Sequence, residues 1–122
     1  MRLAIPLSAP TAAALLLPLI AVAAGAQTGT YAPHGNTGAC GGYDEAELTA
    51  RSWFPGGEAG LLQLENRVQI RDMDAVLYDA TIIEEGFNEP AGRLLFATVR
   101  HDGQALLLVV HGDGEMRLYQ RC

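Results

Sequence analysis

The sequence predicts an all-β fold, a small antiparallel sandwich or barrel of about six to seven strands with one disulfide. Segments rich in Val, Ile, Leu, Thr, Phe and Tyr alternate with turn signals roughly every eight to twelve residues, a spacing that is typical of such folds. The chain of 122 residues also contains only two cysteines, one early and one at its last position. A single bond between them would connect the two ends of the domain.

The predicted strands follow one another along the chain, without an internal repeat or a second domain. They lie near residues 47–54, 61–70, 76–84, 94–100, 105–111 and 116–121. Turns rich in glycine, proline and aspartate separate them. The first segment has an alternative, because Asp44 and Glu47 have the spacing of a capping box that could open a short helix ending before Pro55.

Residues 1–26 are predicted to be a signal peptide that is removed. Arg2 is the only charged residue in the first forty, and an apolar run follows it over residues 12–24. The run ends in Ala24-Gly25-Ala26, small residues of the kind that signal peptidase requires, so cleavage is expected before Gln27. A membrane anchor is the alternative, but Pro6, Pro10 and Pro18 interrupt residues 1–26. The mature protein is therefore expected to be periplasmic or secreted, without a membrane span.

Export makes a disulfide between Cys40 and Cys122 the expected state of the two cysteines, since thiols pair in oxidising compartments. The bond would join an extended leader, predicted over residues 27–42, to the end of a single β domain, predicted over 43–122. It would close a loop of about 83 residues and stabilise the domain by up to about 4.5 kcal/mol. Two free thiols or an intermolecular bond are the alternatives.

The chain is acidic, which excludes some partners and favours others. After residue 26 it contains seven Arg, no Lys and fourteen Asp and Glu. Such a surface repels phosphate backbones and anionic lipid headgroups, so nucleic acid and membrane-surface binding are not expected. A cationic partner would be favoured, although acidity also serves simply to keep a small protein in solution.

The C-terminal half permits a prediction of strand register. Asp102-Gly103 is a type I′ hairpin signal, which fixes the pairing of the strands on either side of it. A three-residue loop at 112–114 adds the last strand. In this register one side of the three-stranded unit is almost wholly apolar and is the predicted core face. Its members are Leu95, Ala97, Val99, Leu106, Leu108, Val110, Met116, Leu118 and Cys122.

The opposite side of the same three strands combines apolar residues, an aromatic pair and arginine. We predict that it is an interaction face for a second copy of the chain or for another envelope protein, because aromatic residues and Arg are enriched at interfaces. The alternative is that the first half of the chain covers it. The predicted face consists of Phe96, Leu107, Val109, Arg117, Tyr119 and Arg121.

The sequence predicts no catalytic, cofactor-binding or metal-binding residues. The register places His101 and His111 about 20 Å apart at opposite ends of a strand pair, and His34 could join either of them. No Cys or His spacing matches a zinc site. After residue 26 the chain has one serine, Ser52, and no lysine, so it is poorly provided for nucleophilic or Schiff-base chemistry. An enzyme is therefore the weaker hypothesis.

A small exported β domain with one early and one terminal cysteine resembles the periplasmic lysozyme-inhibitor proteins in layout. The resemblance is limited to architecture, because none of the signature loops of that family can be matched residue by residue. Because lysozymes are commonly cationic, it implies a cationic partner for the acidic surface. The residues themselves lead us to expect a non-enzymatic envelope binding or interaction module. A β-barrel that holds a small apolar ligand is the second hypothesis.

Processing and oxidation can be tested together. Protein isolated from an oxidising compartment should begin at Gln27 and contain no free thiol. Mass spectrometry without reductant measures both properties, because alkylation adds mass at each free cysteine. A lipid on Cys40, or alkylation at both cysteines, would contradict the prediction.

Overall fold

The computed structural model describes residues 27–122, which form a closed barrel of eight antiparallel strands. The predicted signal peptide, residues 1–26, lies outside the described residues. The strands are β1 (Gly29–Pro33), β2 (Ala46–Leu48), β3 (Ser52–Phe54), β4 (Leu61–Gln69), β5 (Ala75–Glu84), β6 (Phe87–His101), β7 (Gln104–His111) and β8 (Met116–Arg121). One short 3-10 helix, Thr37–Ala39, follows β1. Within residues 27–122 no helix is long and apolar enough to cross a membrane.

The barrel is a meander, in which each strand pairs with the next one along the chain. β1 also pairs with β8, where Tyr31 lies opposite Arg121, and this pairing closes the ring. The connections after β3, β5 and β7 therefore lie at one end of the barrel, whereas the connection after β1 first turns back towards the end of β8, where its Cys40 is bonded to Cys122. The connections after even-numbered strands meet at the other end.

The predicted register of the last three strands is confirmed. Val99 lies opposite Leu106, and the turn between β6 and β7 has positive φ at both central residues, 51° at Asp102 and 78° at Gly103. Positive φ at both positions is the requirement of a type I′ turn. The three-residue loop before β8 is also confirmed, because Val110 lies opposite Met116.

The prediction of which side of these strands is the core was wrong. The predicted interaction face points into the barrel, where Phe96 is 0%, Val109 1% and Tyr119 4% exposed. The predicted core face points outward, and Met116 on it is 64% exposed, although Ala97 and Leu106 on the same side are buried at 4% and 2%. Both sides of β6–β8 are apolar, so strand alternation shows which residues share a side without showing which side is inside. The bulkier aromatic side is the one that fills a small barrel.

Aromatic side chains fill the centre of the barrel. Trp53 is fully buried, and its ring makes edge-to-face contacts with Phe96 at 5.4 Å and with Tyr119 at 5.1 Å between centroids. Tyr78 contacts Phe96 in the same way at 5.8 Å. Such pairs add roughly 0.5–1.5 kcal/mol each beyond the area that they bury. Strands from both halves of the chain are thereby joined through one cluster.

The first half of the chain differs from the prediction in two places. The segment predicted as an extended leader contributes β1 to the barrel. The segment predicted as one strand over 47–54 is two strands, β2 and β3, and the helix alternative is not adopted. A turn separates them because the hydroxyl of Thr49 accepts hydrogen bonds from the backbone N–H groups of Arg51 and Ser52. Three-residue strands are too short for an alternating pattern to be visible in the sequence.

The disulfide between Cys40 and Cys122 is confirmed, with Cα atoms 5.6 Å apart. It joins the segment after β1 to the residue after β8, beside the strand pair that closes the barrel. The backbone N–H of Cys122 also donates to the Thr30 carbonyl oxygen at 3.0 Å. Cys122 itself is exposed, whereas the sequence predicted that it points inward. Cys122 follows the outward-facing residues of β8 in alternation. It is therefore exposed for the same reason that the predicted core face points outward.

Loss of the disulfide should destabilise the domain without changing its fold. We expect the Cys40→Ser, Cys122→Ser variant to keep β-type circular dichroism at low temperature and to lose about 2–4 kcal/mol of unfolding free energy, because the open chain regains loop entropy when it unfolds. Urea denaturation followed by circular dichroism measures the loss. Wild-type protein with reduced, alkylated cysteines is the control and should match the variant. An unchanged urea midpoint would contradict the expectation.

Candidate functional site

The two ends of the barrel differ in charge. One end carries residues 43–45 and the connections 55–60, 85–86 and 112–115, which contain no Arg or Lys. We call this the acid-rich end. Its carboxylates, including two from adjoining strand ends, are Asp44, Glu45, Glu58, Glu84, Glu85, Glu89, Asp113 and Glu115. At the opposite end lie Arg51, Arg67, Arg71, Arg100 and Arg121, with only Asp72, Asp74 and Asp102.

Most carboxylates of the acid-rich end are not neutralised by a neighbouring cation. Glu115 is the exception, since its carboxylate lies 3.5 Å from the Arg117 guanidinium and 3.9 Å from the His111 imidazole. Within residues 27–122, Glu58, Glu84 and Glu85 have no ion-pair partner. Their charges add to a negative potential at this end that would attract cations.

Two adjoining apolar clefts open at the acid-rich end. The larger, of about 330 Å³, has the buried Leu62 and Leu94 in its lining and Glu84 at its rim. The smaller, of about 180 Å³, contains Tyr119 and Arg117. Pro55, Ala59 and His111 line both. The clefts are at or below the small end of the range for small-molecule sites, roughly 300–1,000 Å³, and are better suited to single side chains.

The loop between β3 and β4 shapes these clefts, and glycine allows it to do so. Gly56 has φ of +95°, and a Cβ at this position would lie 2.5 Å from the Asp44 carbonyl oxygen. Gly57 donates its backbone N–H to the Tyr43 carbonyl oxygen at 2.9 Å. The loop therefore packs directly against the segment that carries Asp44 and Glu45. Acidic residues from separate parts of the chain are brought to one surface in this way.

The opposite end is partly closed by Gln27, whose side chain is buried. Its amide nitrogen donates to the Asp74 carbonyl oxygen at 3.2 Å and to the Phe96 carbonyl oxygen at 3.3 Å. The Tyr31 hydroxyl donates to the Gln27 carbonyl oxygen, and Arg121 donates to the Tyr31 hydroxyl. This role of Gln27 was not predicted, because a polar residue that precedes a strand carries no periodic signal.

The structure separates the members of the predicted interaction face. Phe96, Leu107, Val109 and Tyr119 are buried in the barrel, so they do not form a surface. Arg117 and Arg121 alternate with the outward residues of β8 and lie at opposite ends of the barrel. Arg117 lies beside Glu115, and the Arg121 guanidinium lies over the Tyr31 ring at 5.0 Å. The prediction of an interaction face is therefore wrong, and the alternative holds: the first half of the chain covers this side, with Trp53 and Leu62 packed in the same cluster, and Arg117 and Arg121 lie at its two ends.

The histidines are placed largely as the register implied. His101 and His111 lie at opposite ends of the β6–β7 pair, and His34 contacts His101 edge-to-face at 5.7 Å between ring centroids. His101 also lies 3.4 Å from the Asp102 carboxylate. Within residues 27–122 no group of three or more His, Cys, Asp or Glu side chains is arranged to hold a metal ion.

The geometry of the acid-rich end is suited to binding. Long basic side chains have an apolar stem and a charged head, so one could place its stem against the cleft wall and its head beside the rim carboxylates. Comparison with known protein families, curated proteins and solved structures finds no match for this chain.

Burial of Tyr119 beside the smaller cleft should make stability depend on alkaline pH. Burial raises the pKa of its phenol above 10.0, against the opposing effect of the Arg117 guanidinium. The unfolded chain therefore loses this proton first, and stability that is present below pH 10 is lost as the pH rises through the raised pKa. We expect Tyr119→Phe to reduce the loss by up to about 1.4 kcal/mol per pH unit above pH 10.

Urea denaturation at several pH values between 9 and 11 measures this slope. Tyr43→Phe, at a position that is 70% exposed, is the matched control for the loss of a phenol hydroxyl. Equal slopes for Tyr119→Phe and the wild type would contradict the expectation.

Proposed function

We propose that the protein is a non-enzymatic binding module of an oxidising, extracytoplasmic compartment, and that its acid-rich end binds a cationic protein. The observation that carries this proposal is the combination of unpaired carboxylates with an apolar cleft on one surface. Glu84 lies at the rim of the cleft, and Ile82 and Leu94 line it. A basic partner would be held there by both charge and apolar contact.

The charge of the acid-rich end supports a protein partner more than a small anion or a nucleic acid. Eight carboxylates come from four connections and their adjoining strand ends, and Arg117 is the arginine that lies beside one of them. Long-range attraction of this kind raises the association rate of oppositely charged proteins, and it is weakened by salt. The resemblance in layout to lysozyme inhibitors agrees with a cationic partner, and such an inhibitor is one specific form of the proposal.

The packing of the interior favours an interaction module over a barrel that holds an apolar ligand. A ligand barrel needs interior volume beyond what its side chains occupy. Here Trp53 contacts both Phe96 and Tyr119 across the centre of the barrel. The clefts at the acid-rich end lie at the surface of the barrel.

The proposed compartment rests on the disulfide together with the sequence of residues 1–26. The Cys40–Cys122 bond is compatible with an oxidising extracytoplasmic environment. The sequence pattern predicts export by a cleaved signal peptide. Together they favour the periplasm or the exterior of the cell.

Neutralising the acid-rich end should slow association with a cationic partner. We expect the Glu58→Gln, Glu84→Gln, Glu85→Gln variant to associate about tenfold more slowly with a basic protein, because rim charges act mainly on the association rate. The probes are purified lysozyme and a synthetic peptide of alternating Lys and Leu. Surface plasmon resonance at about 20 and about 150 mM salt measures the rate, which should fall with salt for the wild type and much less for the variant.

The matched control removes three negative charges elsewhere. Glu65→Gln, Asp72→Asn, Asp102→Asn changes the net charge equally, and asparagine tolerates the positive φ of Asp72 and Asp102. It should associate within about twofold of the wild type, since its carboxylates lie away from the acid-rich end. Equal losses in the two variants would show that only net charge matters. Absence of binding to both probes at low salt would refute the proposal.

The apolar part of the proposal has its own variant. Ala59 is exposed and lines both clefts, so Ala59→Trp should fill their shared boundary while the rim carboxylates remain. Dissociation should become faster with little change in the association rate. If Ala59→Trp leaves dissociation unchanged, the clefts do not take part in binding.

A further inference from the structure

A second surface of the barrel is apolar although it faces outward. On β6, β7 and β8, Leu95 lies opposite Val110, and Val110 lies opposite Met116. The next row on the same side runs from Ala97 through Leu108 to Leu118, and Val99 lies opposite Leu106 beyond it. We call this surface the outer apolar face. Its exposed or half-buried members are Leu95, Val99, Leu108, Val110, Met116 and Leu118.

The outward direction of these residues follows from their alternation with the core. Leu94, Phe96, Leu107 and Val109 belong to the interior cluster, so their chain neighbours point away from it. Met116 is 64% exposed. Leu95, Val99, Leu108, Val110 and Leu118 are half-buried, and Ala97 and Leu106 on the same side are only 4% and 2% exposed, so the solvent contact of the outer apolar face is greatest at Met116.

The rest of the barrel shows that an outward row in this fold can be polar. On the outer side of β4 and β5, Gln63 lies opposite Thr81, and Glu65 lies opposite Asp79. The outer apolar face has no ionisable side chain in either of its rows across β6–β8. A local apolar patch with polar surroundings marks a surface that another molecule covers.

We propose that the outer apolar face is a self-association surface, on which a second copy of this chain packs sheet against sheet. The absence of ionisable groups on the face lets two strongly acidic chains meet without bringing like charges into contact. A twofold axis that lies in the plane of contact, perpendicular to the strands, would run the strands of the two copies in opposite directions. Each acid-rich end would then lie beside the arginine-containing end of the other copy, and the two acid-rich ends would be far apart.

This charge arrangement is the reason to assign a second copy as the occupant. Arg51, Arg67, Arg71, Arg100 and Arg121 all lie at the end opposite to the acid-rich end. Antiparallel packing therefore combines an uncharged contact with complementary ends. Sheets that pack face to face in this way keep their strands within about 30° of alignment. The proposal does not depend on the partner of the acid-rich end, which lies outside the face.

Sedimentation tests the association with a matched pair of methionine variants. Met116 is 64% and Met73 is 57% exposed, and Met73 lies in the connection between β4 and β5, away from the face. Purified disulfide-bonded protein should sediment as a concentration-dependent dimer. Met116→Glu should raise the dissociation constant more than about tenfold, because a twofold interface receives the new charge twice. Met73→Glu should change it less than about twofold.

The same self-association can be tested on the wild-type protein by methionine oxidation, so that the result does not depend on whether a variant folds. Dilute hydrogen peroxide oxidises exposed methionine to the sulfoxide, which adds one oxygen atom. With increasing protein concentration, mass spectrometry of proteolytic peptides should show slower oxidation at Met116 relative to Met73. Monomeric sedimentation at every concentration up to about 1 mM, the weak end of measurable affinity, would overturn the proposal. So would a dimer that Met116→Glu leaves intact, or a Met116 oxidation rate that does not change with concentration.

Discussion

The pairing of β1 with β8 is the constraint on which the rest of the barrel depends. Without it the eight strands would form an open sheet with two free edges. With it, the strands enclose a cylinder whose centre is filled by Trp53 and the rings around it. The Cys40–Cys122 bond lies beside this pairing and joins the same two parts of the chain. A covalent bond thus supports the one strand pair that links the first strand to the last.

The meander also explains how one small domain presents surfaces of different chemistry. Alternate connections emerge at opposite ends, so acidic residues that are distant in sequence collect at one end. Glu58 and Glu115 follow different strands yet belong to the same surface. The outer side of β6–β8 is a third surface, separate from either end. Electrostatic contacts at the acid-rich end and apolar contacts on the outer side of β6–β8 can therefore be made by different residues of one molecule.

A turn with a strict sequence requirement made the strand register of the second half predictable. The first half has no such turn, and its short strands were not predicted. Asp102-Gly103 has a strict requirement for positive φ, so the register of β6 and β7 follows from the sequence alone. Alternation could not distinguish inside from outside, because both Phe96 and Leu95 are apolar. The three-residue strands β2 and β3 are too short to show a pattern. The acid-rich end could have been predicted by comparing the charges of the connections that follow odd-numbered strands with those that follow even-numbered strands. The hydrogen bonds of Gln27 have no sequence signal.

Closure between the first and last strands also has a consequence for how the chain folds. Tyr31 and Arg121 are hydrogen-bonded across a separation of 90 residues, so this contact is among the most distant in the sequence. Contacts of such long range are formed slowly, because much chain entropy is lost before they contribute. While β8 is missing, the growing sheet presents two unpaired edges to other chains. When the chain is synthesised from its N-terminus, the barrel cannot close until β8 has been made. A chain truncated before β8 would keep two unpaired strand edges, at which other chains could aggregate.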